Sequence, residues 1–210
     1  MTQNSTRAVP FAVSAHPWCR DVRGVAYTFE QFRERIAAFH GYPAPGLFIG
    51  GKMVDLALAA LPAGCLFDAI AETGNCLPDA IQMLTPCTVG NGWLKVMDLG
   101  RFALSLYDKH RGEGVRVFMH PQKVSAWKQI DRWFFKRAPK AEQDGEALLQ
   151  EIRQAGAAIL HQQAVRIDPH IMVEVSVGQR AICPHCGESY PLKHGDACRA
   201  CQGPSPYMTA

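Results

Sequence analysis

Residues 72–98 read ETGNCLPDAIQMLTPCTVGNGWLKVMD, from Glu72 to Asp98, and they hold two of the eight cysteines, Cys76 and Cys87. Between the two, Pro78 suits the first turn of a helix, where its missing N–H has no intrahelical partner. Asp79 places an anion on the positive end of the helix dipole. Cys76 therefore falls just before a helix N-terminus, a place that stabilises a thiolate and suits a metal ligand or a nucleophile. Pro86, Gly90, Asn91 and Gly92 then break the chain around Cys87 before Trp93 opens a new apolar run. Taken one at a time, either cysteine reads equally as a small buried apolar residue, since free cysteine is among the most buried residue types.

Upstream of this stretch, Thr28 and Gln31 fit a capping box, and Phe29, Phe32, Ile36 and Phe39 recur at helical spacing. His40 ends that apolar face, and Gly41 reads as the left-handed residue that stops the helix. On chemistry alone His40 is either a cap whose positive form suits the dipole or a ligand of a site. Tyr42-Pro43-Ala44-Pro45-Gly46 makes a stiff connection, because Pro45 biases Ala44 away from helical geometry. A second helix runs from about Leu47 to Leu61. It is nearly all apolar, with Gly50-Gly51 open to another backbone and Lys52 and Asp55 its only charges, the composition of a buried central helix. Cys65 to Ile70 reads as a short buried strand. Residues 1–27 carry little periodic signal, but His16-Pro17-Trp18-Cys19 sets two potential metal ligands three positions apart in a loop.

Downstream, Trp93–Leu99, Arg101–Tyr107 and Val115–His120 are separated by turn residues and read as an antiparallel meander. Pro121 opens an amphipathic helix in which Val124, Trp127, Ile130 and Phe134 share a face, and a further helix runs from Ala141 to Leu160. Ala164–Ile167 and Ile171–Val177 resemble a hairpin leading into the tail. The expected fold is α+β, with helices packed on an antiparallel sheet and a small C-terminal four-cysteine zinc-finger domain. The expected division is residues 1–175 and 176–210.

The chain of 210 residues is 48% hydrophobic and 20% charged, enough for one full core and a small satellite. Its 22 basic residues nearly match its 19 acidic ones, for a net charge of +3, which points away from nucleic acid and from anionic membrane. No apolar run approaches the ~18 residues of a membrane span. Ala8 to Ala15 is weakly apolar and broken by Pro10, a poor signal peptide. The expected location is the cytoplasm. In that reducing compartment, the pairs Cys183-Pro184-His185-Cys186 and Cys198-Arg199-Ala200-Cys201 mean metal far more often than disulfide. With eleven residues between the pairs, two CxxC knuckles can surround one tetrahedral Zn²⁺. CPHCG also resembles a rubredoxin knuckle, which would make the tail an iron electron carrier, but the intervening loop is much shorter than rubredoxins use.

CLPDAIQ (76–82) and TPCTVGNGWLKVMDLGRFALSLYD (85–108), with FHGYPAPG (39–46) before them and GEGVRV (112–117) after, resemble the FmdE-like family of metal-binding proteins, named for the E-type component of formylmethanofuran dehydrogenase. The resemblance implies an α+β core in which His40, Cys76 and Cys87 line a pocket for a second metal or cofactor, with Asp79 and Gln82 nearby. Two thiolates and one imidazole would leave a fourth position open, as catalytic zinc sites do, with Cys76 and Asp79 as the candidate catalytic residues. The resemblance also implies a homodimer with the tail swapped between its two copies, and a molybdenum- or tungsten-type oxidoreductase system as partner. The family's pattern is HGHxCPG, and here Tyr42 stands in place of the second histidine and Ala44 in place of the cysteine. Either the core site is degenerate or ligands come from elsewhere, His16 and Cys19 being the nearest substitutes, and the preferred reading is the family's pocket surviving in altered form. Two functions of different class follow, a metal-binding accessory protein and a free-standing metalloenzyme acting on a small molecule.

Overall fold

The computed structural model describes residues 17–173, 176, 178–203 and 205–207. They divide into two compact units, one ending at Met172 and the other beginning at Val173.

In the first unit, β1 (Cys19–Arg20) and β2 (Ala26–Tyr27) form a two-stranded ladder. The capping box closes the N-terminus of α1 (Phe29–His40), with the Gln31 N–H donating to the Thr28 hydroxyl at 3.2 Å. Gly41, at φ 92°, ends the helix. Helix α2 (Pro45–Ala60) starts two residues earlier than its apolar run suggests, because Pro45 itself serves as the first helical residue. Leu47, Phe48, Ile49 and Met53 are sealed from water, each worth about 1.5–3 kcal/mol of burial.

Strand β3 (Phe67–Ala71) leads through α3 (Leu77–Leu84) to β4 (Leu94–Val96). β5 (Ala103–Asp108) and β6 (Glu113–Met119) follow. The sheet order is β4-β3-β5-β6 with one further strand beyond, and it is mixed. β5 and β6 pair antiparallel, Leu104 facing Val117, as the alternating pattern predicts. β4, in contrast, lies parallel to β3. Helix α3 carries the chain back over one face between those two strands, and a crossover of that kind demands a parallel partner. The three-strand meander expected from Trp93 onward is therefore two strands, with β3 inserted beside them. α2 packs against α3 and against β5 and β6, so Leu104, Leu106 and Val117 are buried beneath it.

After β6, the single helix expected from Pro121 is split into α4 (Pro121–Val124) and α5 (Lys128–Phe134). Val124 and Ile130 still point into the core. The next helix, α6 (Gly145–Ala155), stops at Gly156, whose φ of 49° breaks the helical path. A single 3-10 turn, Gly156–Ile159, precedes β7 (Leu160–Arg166), the edge strand, antiparallel to β6. Ala164–Ile167, expected as the first arm of a hairpin, is thus the end of a longer strand. α7 (Pro169–Met172) occupies the start of the expected second arm, which runs partly outside the described residues.

The second unit holds a β8 (Arg180–Ile182) and β9 (Ser189–Pro191) hairpin, then α8 (Arg199–Gln202). Its core consists of Cys183, Tyr190 and Ala197. Among the described residues no helix is long and apolar enough to cross a membrane.

Candidate functional site

Two places in the fold collect reactive side chains, and the first is the N-terminus of α3. Cys76 is the N-cap residue, at φ 56° and ψ −49°. Among the described non-glycine residues only Cys76 and Lys136 have positive φ. A backbone conformation of that kind costs of order 1–3 kcal/mol and has to be held in place by its surroundings. Part of the hold is Gly46 on α2, where a Cβ would stand 2.7 Å from the Cys76 sulfur and 3.5 Å from the Phe102 ring. Any side chain at 46 would push the thiol aside. Gly50, one turn on, lets α2 and α3 touch in the same way, since its Cβ would meet Ala80 at 2.7 Å.

His40, at the C-terminal end of α1, reaches the same helix terminus. Its Nδ1 lies 2.7 Å from an oxygen of Asp79, in the first turn of α3. An ionised carboxylate only accepts, so Nδ1 donates, and the lone pair of Nε2 is left for a ligand. The Tyr42 ring packs 4.9 Å from the imidazole. Phe102 meets Trp133 and Phe134 edge-on, at 6.5 and 6.2 Å, to form an aromatic wall on the Cys76 side. Burial pushes the Cys76 thiol above its ordinary range, and the Asp79 charge adds to the rise. Lys136 opposes both. Desolvation here works against the thiolate that a helix-terminal position favours.

Cys87 lies past the other end of α3, a helix about 12 Å long. Its thiol faces the Phe67 carbonyl at 3.6 Å, its N–H bonds the Thr85 hydroxyl, and burial pushes it up to about 11. Cys19 is sealed in the core, where burial and then the Asp55 charge push it up to about 12, and His16 lies outside the described residues. Among the described residues, the only set of three or more His, Cys, Asp or Glu whose ligand atoms gather around one point is in the tail. His40, Cys76 and Cys87 form no such set. Gln82 turns away, to accept from the Val89 N–H at 3.3 Å. The helix face that joins Asp79 to His40 joins neither of them to Cys87. Lys52 and Asp55 pair with one another at 3.5 Å. Asp55 lines a cleft of about 400 Å³ with Arg20, Leu58, Cys65 and Phe67, toward the opposite end of α2 from Gly46.

Sequence reading missed Gly46, Phe102, Trp133 and Lys136. Gly46 alone had a signal, a glycine directly after the helix-opening Pro45.

The second place is the tail. The sulfurs of Cys183, Cys186, Cys198 and Cys201 all lie within 4.8 Å of one another. Cys183 and Cys186 flank the first knuckle, at the end of β8, while Cys198 is the N-cap of α8 and Cys201 sits inside it. The Cys186 and Cys198 sulfurs are 3.7 Å apart. Four thiolates about 2.3 Å from a zinc ion form a tetrahedron with edges of about 3.8 Å, so this spacing fits. Backbone N–H groups, first that of Cys198, hold the Cys183 thiol down to about 6, whereas the neighbouring thiols push Cys201 up to about 12. Four sulfurs this close cannot all ionise without a cation among them.

An α+β domain followed by a small four-cysteine finger defines a class of zinc-finger-bearing proteins. Residues 39–167 match the family model described as "FmdE, Molybdenum formylmethanofuran dehydrogenase operon", and residues 175–208 match "FmdE treble clef zinc finger". The chain belongs to the FmdE family. A crystal structure of a tungsten formylmethanofuran dehydrogenase FmdE-like protein from Syntrophus aciditrophicus is 50% identical. It covers 90% of this chain and 99% of its own, with a TM-score of 0.80. A "Probable S-adenosyl-L-methionine-binding protein" of Archaeoglobus fulgidus is 30% identical over 177 residues. The match covers 73% of this chain and 47% of that protein, so the chain spans less than half of the relative's length. The treble-clef match and the four-cysteine group together support a structural zinc, not the iron of a rubredoxin.

Proposed function

We propose that this chain is a metal-binding accessory protein of a molybdenum- or tungsten-type oxidoreductase system in the cytoplasm. In this reading its tail is a separate domain folded around zinc on Cys183, Cys186, Cys198 and Cys201. Its core offers an open, two-donor pocket made by His40 Nε2 and the Cys76 sulfur. The observation that carries the core part is the 2.7 Å bond from His40 to Asp79. A carboxylate that fixes an imidazole's tautomer is how proteins prepare a nitrogen donor for an incoming ion. Tyr42 and Ala44 remove two donors relative to the family pattern, and Cys87 is elsewhere, so the pocket takes an added ion or metal-bearing ligand weakly and keeps no closed metal of its own. A metal bound there would act as a Lewis acid with open positions. The chain's own part is to orient the imidazole through Asp79, to exclude water with Phe102 and Trp133, and to release the Cys76 proton on binding.

The test is a titration of the purified, zinc-loaded protein with Co²⁺, read by the sulfur-to-cobalt charge-transfer absorption in the near ultraviolet. Cobalt in excess should develop the band, more strongly at pH 8 than at pH 6 because the thiol must lose its proton. Cys76→Ala should lose the band and keep the unfolding transition. A band that survives in Cys76→Ala, or no band in the wild type at either pH, would overturn the reading.

A further inference from the structure

We propose that His120 and His161 form a metal site apart from both the finger and the Cys76 pocket, one that takes an exchangeable zinc-type dication through two imidazoles and water. The pair lies on one face of the β6–β7 ladder. Phe118 and His161 stand directly opposite one another, and His120, two residues past Phe118, turns its side chain to the same face. The His120 N–H donates to the Ile159 carbonyl at 2.9 Å, so the pairing of the two strands continues past the end of β6 and fixes the His120 backbone as well. Nothing in the sequence spacing joins the two histidines. The register of β7 on β6 does.

The two imidazole centroids are 5.5 Å apart, with the ring planes at 61°. A zinc-bound imidazole nitrogen lies about 2.0–2.1 Å from the ion, which puts the ring centre roughly 3.2 Å from it. Two rings on one tetrahedral ion are then about 5.2 Å apart, and two at the right angle of an octahedral ion about 4.5 Å. The observed separation falls beside the tetrahedral value. Imidazole donors in that geometry select Zn²⁺ over Mg²⁺ or Ca²⁺. Phe118 stacks on His120 at 6.1 Å and meets His161 at 5.2 Å. One ring thus backs both imidazoles, and less side-chain freedom is left to lose on binding.

The ring nitrogens are uncommitted. Among the described residues neither imidazole hydrogen-bonds to the protein, and His120 Nδ1 is buried without a partner. Buried polar atoms in that state are rare in folded proteins. An ion shared by the two rings gives His120 a polar partner that the sheet does not supply. The neighbouring cations are already engaged. Arg116, over the Phe118 ring at 4.8 Å, is gripped by Glu72 at 2.6 and 2.8 Å, and Lys123 Nζ is held on the Leu160 carbonyl at 2.7 Å. Two protein donors hold an ion far more loosely than the four thiolates of the tail, so dialysis strips this site and leaves the finger loaded.

The test is Zn²⁺ alone, titrated into dialysed, finger-loaded protein and read on the histidine ring nitrogens by NMR, with His120→Gln and His161→Gln supplying the assignments. The readout is residue by residue and involves no thiol, so it is independent of the cobalt band of the Cys76 pocket. In the wild type the two imidazoles should shift together along one binding curve. His161→Gln should weaken binding at His120 at least about tenfold, and His120→Gln the same at His161, since even the loss of a supporting partner costs that much in metal sites. Both variants should keep the wild-type unfolding transition in the absence of added Zn²⁺, and if one fails to fold the other decides. Imidazole signals that do not move with Zn²⁺, that move along separate curves, or that keep the wild-type curve when the other histidine is replaced overturn the proposal.

Discussion

Replacing Cys198 by serine is expected to unfold the tail and leave the core standing. The tail's buried cluster is Cys183, Tyr190 and Ala197. That is far too little apolar area to offset an ordering cost of about 1.5 kcal/mol for each fixed residue. A structural zinc contributes on the order of 10–16 kcal/mol in small fingers, so removing one of four thiolates takes away the main source of order. Tyr190 is tied in through its hydroxyl, which donates to the Gly195 carbonyl at 2.9 Å, and one such bond is worth only about 1 kcal/mol net. In Cys198→Ser, amides from Arg180 to Gln202 should exchange at close to solvent rates. Those of β3, β5 and β6 should keep wild-type protection, and the main thermal transition should move little. Loss of that transition as well would mean that the two units fold as one.

The second large effect is expected from Glu72→Ala, measured by urea unfolding. Glu72 sits just past the end of β3 and is 5% exposed. Arg116 grips it with two bonds of 2.6 and 2.8 Å, and Arg101 adds one at 2.7 Å. Removing the carboxylate leaves the Arg116 guanidinium, itself 14% exposed, without its partner, a change that costs about 3–5 kcal/mol in buried pairs. Some water still reaches the guanidinium, which puts the expected loss near the lower end, about 3 kcal/mol at pH 7.

The pH dependence has a definite sign. Burial raises the Glu72 carboxyl, but the Arg116 hydrogen bonds, then the Arg116 and Arg101 charges, outweigh it and bring the group below the usual carboxylate range. A group lowered on folding stabilises the protein above its unfolded value and loses that contribution as pH falls through the folded one. The gap between wild type and Glu72→Ala should therefore be full at pH 7 and shrink steadily below about pH 4.5. An undiminished gap at pH 3 would place the effect in packing instead of charge.

Much of the fold could be read from local pattern, because local pattern is what drives it. The Thr28–Gln31 box and Gly41 bracket α1 as their chemistry demands, and the apolar run with Gly50-Gly51 is the buried central helix. The four tail cysteines could be read at once, since CxxC spacing encodes geometry over a few residues. The direction of β4 could not, because parallel or antiparallel pairing is decided by where α3 takes the chain and not by the alternation within Trp93–Val96. β7 was hidden for a related reason. Ile159 and Leu160 continue the helical stripe of α6 in sequence, and only the turn at Gly156 diverts them into an edge strand.

The pocket divided the same way. Cys76 announced itself through Pro78 and Asp79. That Asp79 bonds His40, thirty-nine positions away, is a product of α1 and α3 meeting, and no spacing rule carries it. The grouping with Cys87 came from resemblance, and α3 puts that thiol at its opposite end. That burial works against the thiolate at Cys76 is visible only once α2, at Gly46, is seen to pack on the sulfur.

The most direct measurement is the zinc content per chain of dialysed protein, by mass spectrometry of the metal, in wild type and in Cys183→Ser. A finger that holds the only tight metal predicts one zinc per chain falling to none, while the core keeps its thermal transition. One zinc retained in Cys183→Ser, or two in the wild type with one surviving the substitution, would contradict it.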